Sequence, residues 1–544
     1  MTATPDQTPA PTRRRARALE SRLAQLGRYQ VWLWLLLSGL LSLWHGKDFN
    51  WDMKNYHYYN PWAWLHHRAD VDLFAAQLQT FFNPLIDTPF YLLAHAGVPD
   101  YLVVFLMGLP TGLAASAVWA ICGQLQARAE GPPSRLMLAN RLTAALIAAS
   151  GSAGHGQLGS ATGEWTTTCL LMLGILALTM FHVGRLPALR AFALAGVAFG
   201  AAGALKLAAM VPLVGLSLAA AWIAPWGRRR DLARAFIGFA AGGVGAFLVL
   251  AGPWMWSLAV HWGSPLFPMF NDVFHSPYAD ASSWRDLRTV AQDAREVLVF
   301  PFREAFLENK AHSELKMRDP RVLIALVISA VWVVRGLVDL LRRRAARTTR
   351  YQLFLVTGFV TTYLIWIRLF GIYRYAIILE AMAALMMFVA VNELLGRRRP
   401  RAAVAAAVVA YGACVGLVYA PNWGSIDMTG GRYFTSRLPA LPPGAMVLAA
   451  TDEPVSFLIP QWPGAPPFVS AATNFSAPGR NEPAQRLVAA RLAGHRGPIY
   501  LLRAADPAAA RPDVLARYHL VLDSAACVPI MAGVPLTLCP AHRQ

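Results

Sequence analysis

The sequence predicts an all-α multispan membrane domain of about eleven transmembrane helices, joined to a small extracytoplasmic α/β domain at the C-terminal end. Three observations predict it. Of 544 residues, 56% are apolar and 15% charged, against about 25% charged in a soluble globule. The apolar residues gather in blocks near the roughly 20 residues that a helix needs to cross the hydrocarbon of a bilayer. The loops between blocks alternate between Arg-rich and Arg-poor, which is the charge bias of a multispan protein. The net charge of +19, from 49 Lys plus Arg against 30 Asp plus Glu, follows from those loops. It gathers on no single soluble face, so nucleic-acid binding is not the reading.

Residues 1–28 are rich in Pro, Thr and Arg and read as a disordered cytoplasmic segment. No small-residue cleavage site follows the first apolar block, so that block is expected to stay as an anchor. The spans are expected near 29–45, 101–122, 138–154, 165–183, 189–204, 207–225, 234–258, 321–341, 351–368, 375–395 and 402–420. Residues 189–225 are too long for one helix, and Lys206 is where two helices are expected to turn. The multispan domain is thus read as 29–420. With this count the N-terminal Arg residues, Arg128, Arg135, Arg185, Arg190, Arg228 to Arg230, Arg342 to Arg344, Arg347 and Arg397 to Arg399 all fall on one side. That side is inside, and the expected location is a bacterial inner (plasma) membrane with the N-terminus cytoplasmic.

Three segments then face outward. The first, 46–100, is dense in Asp, Asn, His, Tyr and Trp, and its aromatic residues predict helices lying at the headgroup level. The second, 259–320, carries Asn271, Asp272, His275 and Tyr278, which read either as ligands for lipid phosphate or sugar hydroxyls or, the favoured reading, as an interfacial turn in a Pro-rich run. The third, 421–544, reads as the α/β domain: AMVLAAT, PIYLL and YHLVLD as strands, PAQRLVAARLAG as an amphipathic helix. Cys527 and Cys539 lie in this tail, where a disulfide can form. Cys122, Cys169 and Cys414 lie inside apolar blocks. No metal-ligand spacing is present, so no metal and no cofactor is expected.

The chemistry is expected in the first outer segment. Asp48 and Asp52 follow the first span by a few residues, and Asn55, Tyr56 and His57 come next. Ionisable groups beside hydrocarbon are costly unless they face protein or water. The cluster reads either as the wall of a polar cavity or as a solvated loop with helix-capping Asp residues.

The run DMKNYHYYNP at 52–61, followed by QTFFNP at 79–84, resembles the first outer loop of GT-C glycosyltransferases. These are multispan enzymes that use polyprenyl-phosphate-linked sugars. The resemblance covers the topology through roughly residue 420. It implies a catalytic carboxylate, acting as the base, at Asp52, with Asp48 as second choice. The adjacent Asp-Glu pair that some members use is lacking, which leaves that choice open. The expected substrate-binding set is Asn55, Tyr56, His57 and Asn83 from the matching motif, together with Lys206, Arg368, Tyr373 and Arg374, which the topology places near the same outer face.

Moving a sugar from a lipid phosphate requires a base for the acceptor hydroxyl and fixed charge for the leaving phosphate. Lys206, Arg368 and Arg374 are the candidate cations on the outer side. Lys206 alternatively snorkels at a helix end. Arg368 and Arg374 flank the turn LFGIYRY, against the positive-inside bias. Glu164 and His155 cap a helix or face the cavity. The expected activity is inverting transfer from a polyprenyl-phosphate-linked sugar donor to an extracytoplasmic glycan, lipid or protein acceptor, with membrane lipids as the other partner and no nucleic acid. The alternative is a transporter or flippase for a lipid-linked or small polar substrate, which the clustering of ionisable residues at one face disfavours.

Overall fold

The computed structural model describes residues 29–128, 134–506 and 511–544. The N-terminal segment 1–28, read above as disordered and cytoplasmic, lies outside the described residues. A helix α1 over 29–45 opens the chain. It is followed by α2 (Asp100–Gln126), α3 (Arg135–Ala148), α4 (Glu164–His182), α5 (Ala188–Leu205) and α6 (Leu207–Ile223). Next come α7 (Arg229–Trp262), α8 (Ala294–Phe306), α9 (Arg321–Leu341), α10 (Arg350–Leu369), α11 (Tyr373–Gly396) and α12 (Pro400–Gly416). Seven of these, α2, α4, α5, α7, α9, α10 and α11, are long and apolar enough to cross a membrane, and α6 and α12 are shorter apolar helices. The result is a largely helical, multispan membrane domain.

Small residues set the helix contacts. A Cβ on Gly112 of α2 would sit 2.5 Å from the carbonyl oxygen of Trp34 in α1, and one on Gly108 would sit 2.1 Å from the Ser42 hydroxyl. Between α5 and α7, a Cβ on Gly196 would meet the Phe239 carbonyl oxygen at 2.2 Å and one on Gly200 that of Gly243 at 2.2 Å. Backbones approach this closely only where side chains are absent, which is how helices associate in lipid. The outer flank of α7 exposes Phe236, Val244, Val249 and Trp256, the apolar surface that lipid covers.

The long apolar block 189–225 divides at Lys206. Its backbone is extended (φ −146°, ψ 118°), ending α5 and opening the turn Leu207–Ala209 before α6 continues. The break has a clamp: the Asn83 amide donates to the carbonyls of Ala204 (3.0 Å) and Leu250 (3.1 Å). A helix end leaves carbonyls without intrahelical partners, and Asn83 satisfies one of them.

The C-terminal part is a six-stranded mixed sheet. After the short pair β1 (Lys47–Asp48) and β2 (Ser425–Ile426), its strands are β3 (Met446–Ala449), β4 (Phe468–Ser470), β5 (Ile499–Ala504), β6 (Leu520–Leu522), β7 (Val528–Met531) and β8 (Pro535–Arg543). The order is β4-β3-β5-β8-β6, with β7 also on β8. Strands β4, β3 and β5 are parallel and β8 runs against its neighbours. Helices α13 (Glu482–Gly494) and α14 (Pro512–Arg517) complete it. The strands and helix expected around 445–451, 498–502, 518–523 and 483–494 are all present. Strands β4, β7 and β8 were not foreseen. Cys527 and Cys539 are bridged.

One expectation is corrected here. The aromatics of 46–100 do not lie mainly at a membrane interface. Tyr56, Tyr58, Tyr59, Trp62, Phe90 and Tyr91 are buried in one core with Val447, Ala449, Leu502, Leu536 and Leu538 of the sheet. Leu73, Phe74 and Phe81 join a second core with Leu448, Leu501 and Val488. Leu73 also pairs with the β4 edge, its N–H donating to the Phe468 carbonyl (2.8 Å) and its carbonyl accepting from Ser470 N (3.0 Å). Rings rich in apolar area are driven into the best available cover, and the sheet supplies it. The segment covers the edge strand β4 in return.

Candidate active site

The first outer segment leaves α1 through β1, whose pairing with β2 (Lys47↔Ile426, Asp48↔Ser425) anchors it to the tail. Lys47 is buried, and its ammonium lies 3.2 Å from the Asp100 carboxylate. A helical turn, Met53–His57, begins at once behind Asp52. Asp52 is 7% exposed and forms an ion pair with Arg374 through Oδ2 and Nη1. Arg374 stands in the turn that opens α11.

Arg374 gathers three carboxylates. Besides Asp52, Glu314 Oε1 lies 3.2 Å from Nη2 and Glu164 Oε1 4.0 Å from Nε. The Nε atom is buried and makes no hydrogen bond among the described residues. Lys206 completes the cluster: its Nζ is 2.5 Å from Glu164 Oε1 and 2.6 Å from the Thr162 carbonyl oxygen. Lys206 Nζ and Arg374 Cζ lie 5.3 and 5.4 Å from the Tyr375 ring centroid, within cation–π range. A small cleft of about 20 Å³ is lined by Glu164, Lys206, Arg374 and Tyr375 together with Thr167, Leu171, Pro212 and Ile378, so charged, polar and apolar side chains share its wall.

Burial pushes the Asp52 carboxyl up, but the charges of Arg374, His57 and Lys206 outweigh that and hold it below the ordinary carboxylate range. Asp48 is the opposite case. It is 5% exposed, its Oδ1 accepts from Asn50 N (3.0 Å) and its Oδ2 has no partner among the described residues. Burial pushes it up to about 6. Two carboxylates four residues apart are thus shifted in opposite directions, because only Asp52 is paired with a guanidinium.

His57 Nδ1 lies 2.7 Å from Asp87 Oδ1, with both side chains 1% exposed. Burial lowers the His57 imidazole, but the Asp87 and Asp52 carboxylates raise it above its ordinary value. The Tyr56 ring lies against it with centroids 4.0 Å apart. The Asn55 amide donates to Gln79 Oε1 (3.2 Å). Asp52, Asn55, Tyr56, His57, Lys206 and Arg374 are therefore brought into one region.

Other sequence candidates lie apart. Asn83 is the clamp on the end of α5. Arg368 is exposed, its guanidinium donating to the Ala291 carbonyl oxygen (2.8 Å), and it holds a loop instead of joining the Arg374 cluster. Tyr373 is fully buried against Phe300 and Trp366. Asn271 holds its own turn, donating to the carbonyls of Ser276 (3.1 Å) and Ala279 (2.8 Å). Glu314 was not singled out from the sequence. It sits in a polar stretch with nothing to separate it from Glu304 and Glu308, and only its place beside Arg374 marks it. Among the described residues, no group of three or more His, Cys, Asp and Glu side chains is placed to hold a metal ion.

No family model and no curated protein sequence matches the chain. Among solved structures, the chain is similar to the arabinofuranosyltransferase AftD from mycobacteria, determined by single-particle cryo-EM, with a TM-score of 0.52 and 16% identity. The likeness covers 95% of this chain and 40% of that one, so this chain spans well under half the length of that protein. At such identity the likeness concerns the fold alone.

Proposed function

We propose that the chain is an inverting membrane glycosyltransferase that moves a sugar from a polyprenyl-phosphate-linked donor to an extracytoplasmic acceptor. The observation that carries this reading is the direct pairing of Asp52 with Arg374, with Lys206 in the same cluster. A base and a phosphate clamp must serve one bound donor, and positioning both within one site is where much of the rate arises. The eleven-span topology, with the cluster and the tail outside, is part of the same reading.

In this reading Asp52 takes the proton of the acceptor hydroxyl as its oxygen attacks the anomeric carbon. The bond from that carbon to the phosphate oxygen breaks on the opposite face, and the configuration inverts. The polyprenyl phosphate leaves with its added charge facing Arg374 and Lys206. Arg374 presents Nε and Nη2 as one bidentate edge, the geometry that suits a phosphate. Nη1 stays on Asp52, so clamp and base keep a fixed relation. The test is an assay of the purified protein in lipid nanodiscs with polyprenyl-phosphate-linked hexose and pentose donors, product detected by mass. Absence of transfer with every donor and a mixed glycan acceptor pool counts against the reading.

The pH profile identifies the base. Asp52 is held below the ordinary carboxylate range, so kcat/KM is expected to stay flat on the acid side until the pH falls below that range. Were Asp48 the base, activity would fall as the pH drops through about 6. An acid limb near 6 therefore transfers the role to Asp48.

Donor binding is an exchange of anions. Glu314, 36% exposed, occupies the Nη2 position that a phosphate needs. Glu314→Gln is expected to lower the donor KM by up to about fivefold, the scale of one partly exposed ion pair, with kcat little changed. A raised donor KM in this variant would show that Glu314 assists binding instead.

A further inference from the structure

We propose that α8 is an interfacial anchor, its uncovered face seated among acyl chains just beneath the lipid headgroups, at the end of the bilayer where α10 finishes. At 13 residues, or roughly 20 Å at 1.5 Å per residue, α8 is too short to cross the hydrocarbon. Both of its ends are held at one face of the membrane domain. At the first, Ala291 N donates to the Ile367 carbonyl near the end of α10 (3.1 Å), and the Tyr363 hydroxyl donates to the Val297 carbonyl (2.5 Å). At the second, Asp319 N, just before α9, donates to the Glu304 carbonyl (2.8 Å). A helix tied in this way runs along the membrane face.

The sequence AREVLVFPFREAF gives α8 two apolar faces. Phe300, Pro301, Glu304 and Ala305 turn toward the protein and are buried. Leu298, Phe302 and Phe306, each four residues from the next, share the other face, and they are 70%, 58% and 58% exposed. Val299 and Leu307 are exposed as well and widen it. So much apolar area in one stripe is costly to leave in water and marks a surface with a partner. Arg295 and Arg303 border the stripe. Their long stems cover apolar surface while the charged ends reach headgroups, which is the pattern of a helix lying in a membrane interface.

Depth decides what covers the stripe. Tyr363 stands six residues before Leu369, the last of α10, so its bond to Val297 lies about 9 Å along α10 from that end. An interfacial helix sinks its apolar face about 5–10 Å into the boundary between headgroups and acyl chains. Tyr363 and Trp366, whose ring centroids lie 6.1 and 5.5 Å from that of Phe300, are residue types of the aromatic belt at that level. Helix α9, on which α8 packs, exposes an apolar stripe of its own, Val327, Val331 and Val334. Lipid is the one occupant that covers both. The protein-facing side of α8 reaches the candidate active site. Phe300 packs on His312 and Tyr373 with centroids 4.9 and 6.1 Å away, and Tyr373 N donates to the His312 carbonyl (2.9 Å). Arg374 is the next residue after Tyr373, and Glu314 stands two after His312. The anchor therefore sets the depth of the Arg374 cluster. That a donor phosphate lies at this depth rests on the glycosyltransferase reading; the anchor does not.

The test is spin labelling of the full chain in lipid nanodiscs, one site at a time, at Leu298→Cys, Phe302→Cys, Phe306→Cys and, as the aqueous reference, Lys310→Cys. All four positions are exposed, and the native cysteines are either buried or bridged, so the label reports on the chosen site. Power saturation then compares collision with oxygen, which concentrates in the acyl region, against a water-soluble nickel chelate. The three stripe labels are expected to favour oxygen severalfold over the chelate, and the Lys310 label to show the reverse. Stripe labels that favour the chelate would place the face in water and overturn the proposal. Labels reached by neither agent would mean that protein, such as a second copy, covers the face, and would overturn it equally. A Lys310 label that favours oxygen as strongly would mean that the segment is submerged whole, contrary to an interfacial seat. None of these outcomes depends on sugar transfer, so an anchored α8 in a protein without transferase activity would sink the glycosyltransferase reading alone.

Discussion

Asp52→Asn is expected to lower sugar transfer by about a hundredfold to ten-thousandfold, the contribution of one positioned base. Asn keeps the size of the side chain and an oxygen facing Arg374, and removes the proton acceptor. The fold is expected to tolerate the change, because Arg374 retains Glu314 at 3.2 Å and Glu164 at 4.0 Å. The thermal midpoint of the nanodisc-held variant separates the two effects: near-normal stability with lost transfer marks a base, and joint loss marks a structural ion pair. Near-normal transfer in Asp52→Asn would remove Asp52 from the mechanism.

Arg374 is expected to show the largest combined loss. Arg374→Met leaves Asp52, Glu164 and Glu314 without the guanidinium they share. Removing one partner from a buried pair costs about 3–5 kcal/mol, because the other charge stays buried without compensation. Arg374→Lys restores a charge but not the bidentate fork. It is expected to recover most of the stability while donor KM stays high and kcat low. Combining Arg374→Met with Asp52→Asn is expected to recover part of the stability lost in Arg374→Met, since the double change removes the stranded carboxylate. Additive losses in this cycle would mean that the two groups do not interact, contrary to the observed pairing. Full transfer by Arg374→Lys would show that charge alone suffices at this position.

Much of the site was legible in type and little in arrangement. Asp52, Lys206 and Arg374 stood out because charge beside hydrocarbon is expensive and is kept where it has a partner. The motif resemblance drew attention to Asn83 and the positive-inside bias to Arg368, and there the partner is backbone: the carbonyl of Ala204 at the end of α5 with that of Leu250 in α7, and that of Ala291 in a loop. A broken helix next to lipid must have its freed carbonyls satisfied by someone, so a polar residue at the right depth serves structure or chemistry with the same sequence signature. Glu314 had no signature at all, since an acid among other acids in a polar loop differs only by what it faces.

The sequence by itself determined the helical membrane domain, the break at Lys206 and the strands around Val447, Leu501 and Val521, because each depends on solvent and local pattern: run length against bilayer thickness, and alternation against burial. Tertiary structure alone decided that Asp52 meets Arg374 across 322 positions of chain and that the aromatics of the first outer segment enter the core of the tail. Neither outcome is encoded in a local period. Each follows from how several elements pack at once, and a contact between distant residues exists only after that packing is complete.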